Sequence, residues 1–185
     1  MTMITAEKTL EKLKIGVVGA GSWGTALANL LALKGYPIDL WIFEDDVIAQ
    51  IEEQRENKVF LPGILLAPNI VPHGDIKAVA ADKDLLLVVV PSHVMRETTG
   101  HIRDEVGGNT IVVTASKGIE NKTHLTMTGV LRQTLSEIPA EQLAVLSGPS
   151  FAREVAQQFP TAVTVAAADL EVAGFVQHVF ATPQF

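Results

Sequence analysis

Six residues, Gly19-Ala20-Gly21-Ser22-Trp23-Gly24, carry the first chemistry readable in this chain. They fit G-x-G-x-x-G, directly after the apolar run Ile15-Gly16-Val17-Val18 and directly before a helical pattern. Gly19 permits a tight turn, Gly21 lets a pyrophosphate approach the backbone, and Gly24 lets the helix pack close to the strand. The free N–H groups at the helix start then face the phosphates, and the helix dipole favours their charge. Glu44 follows at the end of the second apolar run, 20 residues after Gly24. A carboxylate there can accept hydrogen bonds from both adenosine ribose hydroxyls. Around it, Phe43-Glu44-Asp45-Asp46 offers no base before Arg55. A ribose 2′-phosphate would meet like charge, so NAD(H) is favoured while NADP(H) stays open. The bland alternative is that these acids form a solvated helix start.

Further candidates follow later strands, where an open parallel sheet gathers its ligands. Pro91-Ser92-His93 comes after the run Leu85–Val90. Pro91 shapes a turn, Ser92 can cap the next helix, and His93 is either an acid/base group or a solvent-facing side chain. In Thr114-Ala115-Ser116-Lys117-Gly118, Lys117 can meet a substrate phosphate or carbonyl, or be an ordinary surface lysine. In Ser147-Gly148-Pro149-Ser150-Phe151-Ala152, Ser150 is a plausible helix cap beside N–H groups able to bind an anion. No G-x-S-x-G nucleophile elbow occurs there.

The elements that must hold these residues alternate along the chain. Strands are expected at Ile15–Gly19, Ile38–Phe43, Leu85–Val90, Ile111–Thr114, Ala144–Leu146 and Ala162–Ala167. Helices are expected at Thr25–Lys34, Val47–Arg55, around His93–Glu105, near Leu125–Ser136, from Phe151 and at Leu170–Phe180. The stretch from Asn57 to Gly74, with Pro62, Pro68 and Pro72, reads as loop with a short strand near Ile70-Val71. Apolar runs without polar alternation indicate strands covered on both faces, and the helices between them supply parallel crossovers. The expected fold is a doubly wound, mostly parallel α/β sheet.

Composition narrows the function. The 185 residues hold 21 acids against 14 bases, a net charge of −7, which argues against a general binder of nucleic acid or anionic membrane. With no cysteine, disulfides, thiolate metal sites and a cysteine nucleophile are excluded, and no metal site is indicated. The longest apolar run, Leu85–Val90, is too short to span a bilayer, which needs about 20 residues in a helix. Residues 1–13 are set aside: Met1-Thr2-Met3-Ile4-Thr5 resembles the leader that expression vectors fuse to an insert, and it is not a signal peptide. Residues 14–185 form the dinucleotide-binding domain, with the cytoplasm as default location.

Taken in order, Gly19–Ala28, Phe60-Leu61-Pro62-Gly63, Val88–His93, Ser116-Lys117-Gly118 and Ser147–Ala152 resemble the amino-terminal half of the NAD(P)-dependent glycerol-3-phosphate dehydrogenases. The resemblance implies a Rossmann-like fold followed by a helical domain, absent from this chain. It also implies interconversion of dihydroxyacetone phosphate, a phosphorylated triose, and sn-glycerol 3-phosphate for bacterial phospholipid synthesis. Ser22 and Trp23 would contact the cofactor at the glycine turn, Phe43 would lie near the adenosine ribose, and Pro91 and Ala152 would border the cofactor. Lys117 would lie between cofactor and substrate, with Gly148 and Ser150 holding substrate. The family's catalytic lysine lies in the helical domain, in a phrase without a match here, so no catalytic residue is assigned and the chain alone is expected to be inactive. The whole protein is expected to be a homodimer. Two other readings stay open: a stand-alone nucleotide-binding or redox-sensing module, and a dehydrogenase of the same fold for another hydroxy substrate.

Overall fold

The structure, a computed structural model, describes residues 13–185. The expected leader therefore falls outside the described residues except for Leu13, which is buried.

Strands and helices run β1 (Ile15–Val18), α1 (Ser22–Leu33), β2 (Ile38–Trp41), α2 (Asp45–Gln54), β3 (Ile70–His73), α3 (Ile76–Ala80) and β4 (Leu85–Val88). The second half holds α4 (Met95–Gly100), β5 (Ile111–Thr114), α5 (Met127–Thr134), β6 (Leu143–Ser147), α6 (Ala152–Ala156), β7 (Thr164–Ala167) and α7 (Leu170–Phe180). All seven strands join one sheet in the order β3-β2-β1-β4-β5-β6-β7. The order reverses between β1 and β4, which pair in parallel with Ile15 opposite Leu85 and Val18 opposite Val88. At such a reversal the crossovers leave on opposite faces, which opens a crevice beyond the carboxyl ends of the two strands.

β1, β4 and β5 are buried along their whole length, as unbroken apolar runs require. Their side chains still divide between two cores because alternate residues point to opposite faces. Ile15, Val17, Leu85, Leu87 and Val113 join the core under α1, α2 and α7. Val18, Leu86, Val88 and Val112 join the second core under α3 and α5.

Five findings differ from the sequence reading. β7 pairs with β6 antiparallel, Ser147 opposite Thr164, so the last connection is no parallel crossover. The intervening α6 has five residues, about 7.5 Å of helix, which is too short to carry the chain back along the strand. Ser92 does not cap α4: a turn from the Val94 N–H to the Pro91 carbonyl intervenes, and the helix starts at Met95 without a side-chain cap. Nor does Ser150 cap α6, whose N-cap is Phe151, and the Ser150 hydroxyl reaches only toward the Gly148 carbonyl at 3.5 Å. Helix α3 was absent from the sequence reading, and α1 begins at Ser22, three residues earlier than expected.

Candidate functional site

The glycine turn lies in the crevice opened by the strand reversal. Gly19 has φ +113°, a left-handed conformation that favours glycine, and a Cβ there would sit 2.3 Å from the Val89 carbonyl oxygen. Gly24 lies inside α1, where a Cβ would come within 1.9 Å of the Gly19 carbonyl oxygen. These two glycines let strand, turn and helix close on one another. Gly21 is different: nothing lies within 4 Å of where its Cβ would be, and the residue is exposed. Open space before an exposed backbone at the start of a 12-residue helix is what a pyrophosphate needs, so the residues present fit a dinucleotide.

A cavity of about 410 Å³ opens beside this turn, lined by Gly21 to Gly24, Val89 to Pro91, Ala115 to Lys117 and Ser150 to Ala152. It brings together Gly21, Ser22, Trp23, Gly24, Pro91, Lys117, Ser150 and Ala152 from four separated segments. Lys117 joins two of them, its Nζ donating to the Ser150 carbonyl at 3.2 Å and reaching the Gly148 carbonyl at 3.5 Å. The same ammonium stands 5.9 Å from the Trp23 ring centroid, within range of a cation–π attraction. Lys117 is exposed, so its charge faces the open cavity. Gly148 is set behind this lining, where a Cβ would meet the Ala162 carbonyl oxygen at 2.8 Å.

Phe43 and Glu44 sit apart from this cavity, at the end of β2. Phe43 is 79% exposed, its ring edge-on to Trp41 with centroids 6.3 Å apart. Glu44 occupies the N-cap position of α2, yet its carboxylate makes no cap hydrogen bond, while Asp45 and Asp46 fill the first turn. The helix-start reading thus describes Asp45 and Asp46, and Glu44 keeps its carboxylate out of the cap. His93 lines a different groove, with Arg96, Glu97 and residues 120–123.

That second groove holds a bidentate ion pair. Arg96 donates from Nε to Glu120 Oε1 and from Nη2 to Oε2, both at 2.8 Å. Hydrogen bonds from Arg96, then from Thr123, hold the Glu120 carboxyl down at about 2. The pair braces the loop after β5 that carries Lys117, and a pattern reading had no means of finding it.

Sequence reasoning also passed over a buried network behind the glycine turn. Thr25 and Asn57 are fully buried, and both donate to the Ala20 carbonyl oxygen, at 3.0 and 2.8 Å. Asn29 and Asn69 tie the same long loop to α1 through Ala67 N–H and the Ala32 and Tyr36 carbonyls. The available signal was three asparagines in or facing a loop too long to hold itself together.

Strand order, glycine turn and crevice together define a Rossmann-like domain of the dinucleotide-binding class. Comparison with known proteins narrows the class. The family model described as NAD-dependent glycerol-3-phosphate dehydrogenase N-terminus matches residues 14–173, and the chain belongs to that family. A glycerol-3-phosphate dehydrogenase [NAD(P)+] of Syntrophobacter fumaroxidans is 48% identical over 171 residues, covering 92% of this chain and 50% of that protein. Its counterpart in Geobacter metallireducens is 48% identical over 172 residues, covering 93% and 51%. Among solved structures, glycerol-3-phosphate dehydrogenase from Coxiella burnetii superposes with a TM-score of 0.86 at 31% identity, covering 94% of this chain and 52% of that one. The chain thus spans about half the length of the curated relatives it matches. Among the described residues no helix is long and apolar enough to cross a membrane, and no cluster of three or more His, Asp or Glu could hold a metal ion.

Proposed function

We propose that this chain is the coenzyme-binding part of a glycerol-3-phosphate dehydrogenase that interconverts dihydroxyacetone phosphate and sn-glycerol 3-phosphate, using NAD(H) in preference to NADP(H). The observation that carries this reading is the cavity in which the open backbone at Gly21 faces Lys117 and the segment Ser150–Ala152. The coenzyme, when bound, supplies the hydride that such a reaction moves. The amides at Gly21 and Ser22 hold its pyrophosphate, Glu44 takes the ribose hydroxyls, and Phe43 flanks the adenosine. Trp23, Pro91 and Ala152 wall the remaining length, which keeps water from the reacting end. Lys117 places its ammonium between coenzyme and substrate, and Gly148 and Ser150 hold the substrate on the far side. The group that protonates the nascent alkoxide is a lysine in the other half of the relatives' length, as the family resemblance implies. In the whole protein this activity serves glycerophospholipid synthesis in the cytoplasm, by a homodimer.

Fluorescence titration with NADH and NADPH tests the coenzyme role. NADH is expected to bind about tenfold tighter, a difference of about 1.4 kcal/mol. Glu44→Arg is expected to narrow or invert that ratio by replacing an anion with a cation where the 2′-phosphate lies. Equal or tighter NADPH binding by the parent chain overturns the assignment to Glu44, and no binding of either overturns the coenzyme role. The 185-residue chain is expected to bind NADH without turning over dihydroxyacetone phosphate, and turnover at ordinary dehydrogenase rates overturns the placement of the acid elsewhere.

A further inference from the structure

The outward face of the glycine turn depends on what holds its inward face. Ala20 is buried, and its carbonyl oxygen receives two hydrogen bonds from side chains that never reach the cavity. Thr25 Oγ1 donates at 3.0 Å from the first turns of α1, and Asn57 Nδ2 donates at 2.8 Å from the loop after α2. The second Asn57 amide hydrogen goes to Thr25 Oγ1 at 2.9 Å, while Asn57 Oδ1 accepts from the Phe60 N–H at 3.0 Å. Every polar hydrogen of this triangle is therefore committed, and nothing in it is left to rotate.

A trans peptide points its C=O and its N–H in opposite directions. Pinning the Ala20 oxygen inward by two donors therefore directs the Gly21 N–H away from that buried network, at a residue that is itself exposed and has open space at its Cβ position. Gly21 has no side chain to restrain it and the greatest backbone freedom of any residue, so a turn built on it needs restraint from elsewhere. We infer that Asn57, acting with Thr25, is a positioning residue for the coenzyme: it holds the Ala20 peptide so that the Gly21 amide is already aimed at the pyrophosphate. This inference rests on the proposed coenzyme role. It also gives the loop from Asn57 to Gly63 a task, since the Phe60 and Leu61 N–H groups close that loop onto the Asn57 side chain and carbonyl.

The test compares ADP, which carries a pyrophosphate, with adenosine, which does not, by calorimetric titration of the 185-residue chain. Neutral variants are used because Asn57→Asp would add a charge beside the phosphates. Asn57→Ala and Thr25→Val are each expected to weaken ADP about fivefold, the worth of one such hydrogen bond. Adenosine affinity is expected to stay at the parent value, and Thr25→Ser, which keeps the hydroxyl, is expected to restore ADP binding to within about twofold. Thermal melts fix a temperature at which each variant is folded. Unchanged ADP affinity in either folded variant overturns the inference, as does equal weakening of ADP and adenosine, the mark of a merely structural role. If Asn57→Ala does not fold, the pair Thr25→Val and Thr25→Ser decides by the same criteria. Failure of the parent chain to bind ADP at all overturns the coenzyme role itself, and this inference with it.

Discussion

The two ends of the cavity are made of different materials. At the β1–α1 end the cavity is bordered by the glycine turn's backbone, with a buried triangle of Ala20, Thr25 and Asn57 behind it. At the β5–β6 end the facing group is a side chain, the exposed Lys117, held by carbonyls of Gly148 and Ser150 and braced from behind by Arg96 and Glu120. Backbone sites tolerate almost no change because the fold itself forms them, whereas a side-chain site can lose its charge and leave the fold intact. Coenzyme binding and global stability should therefore respond together at the first end, the open position Gly21 excepted, and separately at the second.

The largest break in that contrast comes from Gly24. Alanine in a helix interior ordinarily gains up to about 1 kcal/mol over glycine. Gly24→Ala is instead expected to lose about 3 kcal/mol or to unfold the chain, because its Cβ would stand 1.9 Å from the Gly19 carbonyl oxygen. Denaturant melts check the sign. Gly21→Ala, with nothing within 4 Å, is expected to keep its stability and still weaken NADH binding by filling the ligand's space.

Next in size is Lys117→Met. Removing an exposed ammonium should leave the melting temperature within about 2 °C of the parent, since surface changes are worth little. NADH binding should weaken about tenfold if the charge faces coenzyme and substrate, the scale of one charge-assisted contact. A large fall in stability with unchanged binding would mean that Lys117 is a strut between β5 and β6, and the contrast between the two ends would vanish.

The smallest effect concerns the brace. The Glu120 carboxyl titrates at about 2 in the fold against an ordinary value of 4.5. A depressed carboxylate adds stability above its ordinary value and gives it up as pH falls toward its folded value. Melting temperatures of the parent and Glu120→Gln should therefore differ slightly at neutral pH and converge between about pH 4.5 and pH 2. A difference that persists unchanged to pH 2 would show that the Arg96 pairing contributes nothing through charge.

What could be read in advance follows the same division. G-x-G-x-x-G names a backbone conformation, and unbroken apolar runs name strands buried on both faces, so β1, α1, β4, β5 and the fold class were legible from residue types alone. Leu170–Phe180 was legible to the residue, because eleven residues allow a full helical period to show. Helix α3 was not, since Ile76–Ala80 is too short for periodicity to emerge. The direction of β7 depended on the length of α6 and not on the strand's own composition. Ser92 and Ser150 carry the residue type of a cap without the position, because turns at Pro91 and Gly148 move the helix starts past them. The role of Asn57 was invisible for a further reason: its partners, Ala20 and Thr25, lie more than thirty residues away, and no local pattern encodes such a meeting.

The position of β1 has a consequence for how the chain must be made. β1 precedes the other six described strands along the chain and ends as an interior strand of the sheet, with β2 on one edge and β4 on the other. The β2 edge can close early, but Ile15–Val18 waits for Leu85–Val88 before its second ladder exists. Through that interval a wholly apolar strand offers a bare row of amides and carbonyls to any other strand nearby. The crevice that suits the molecule to its ligand is thus obtained through a folding order that leaves the core strand exposed longest, and crowding of nascent chains is where this domain is most vulnerable.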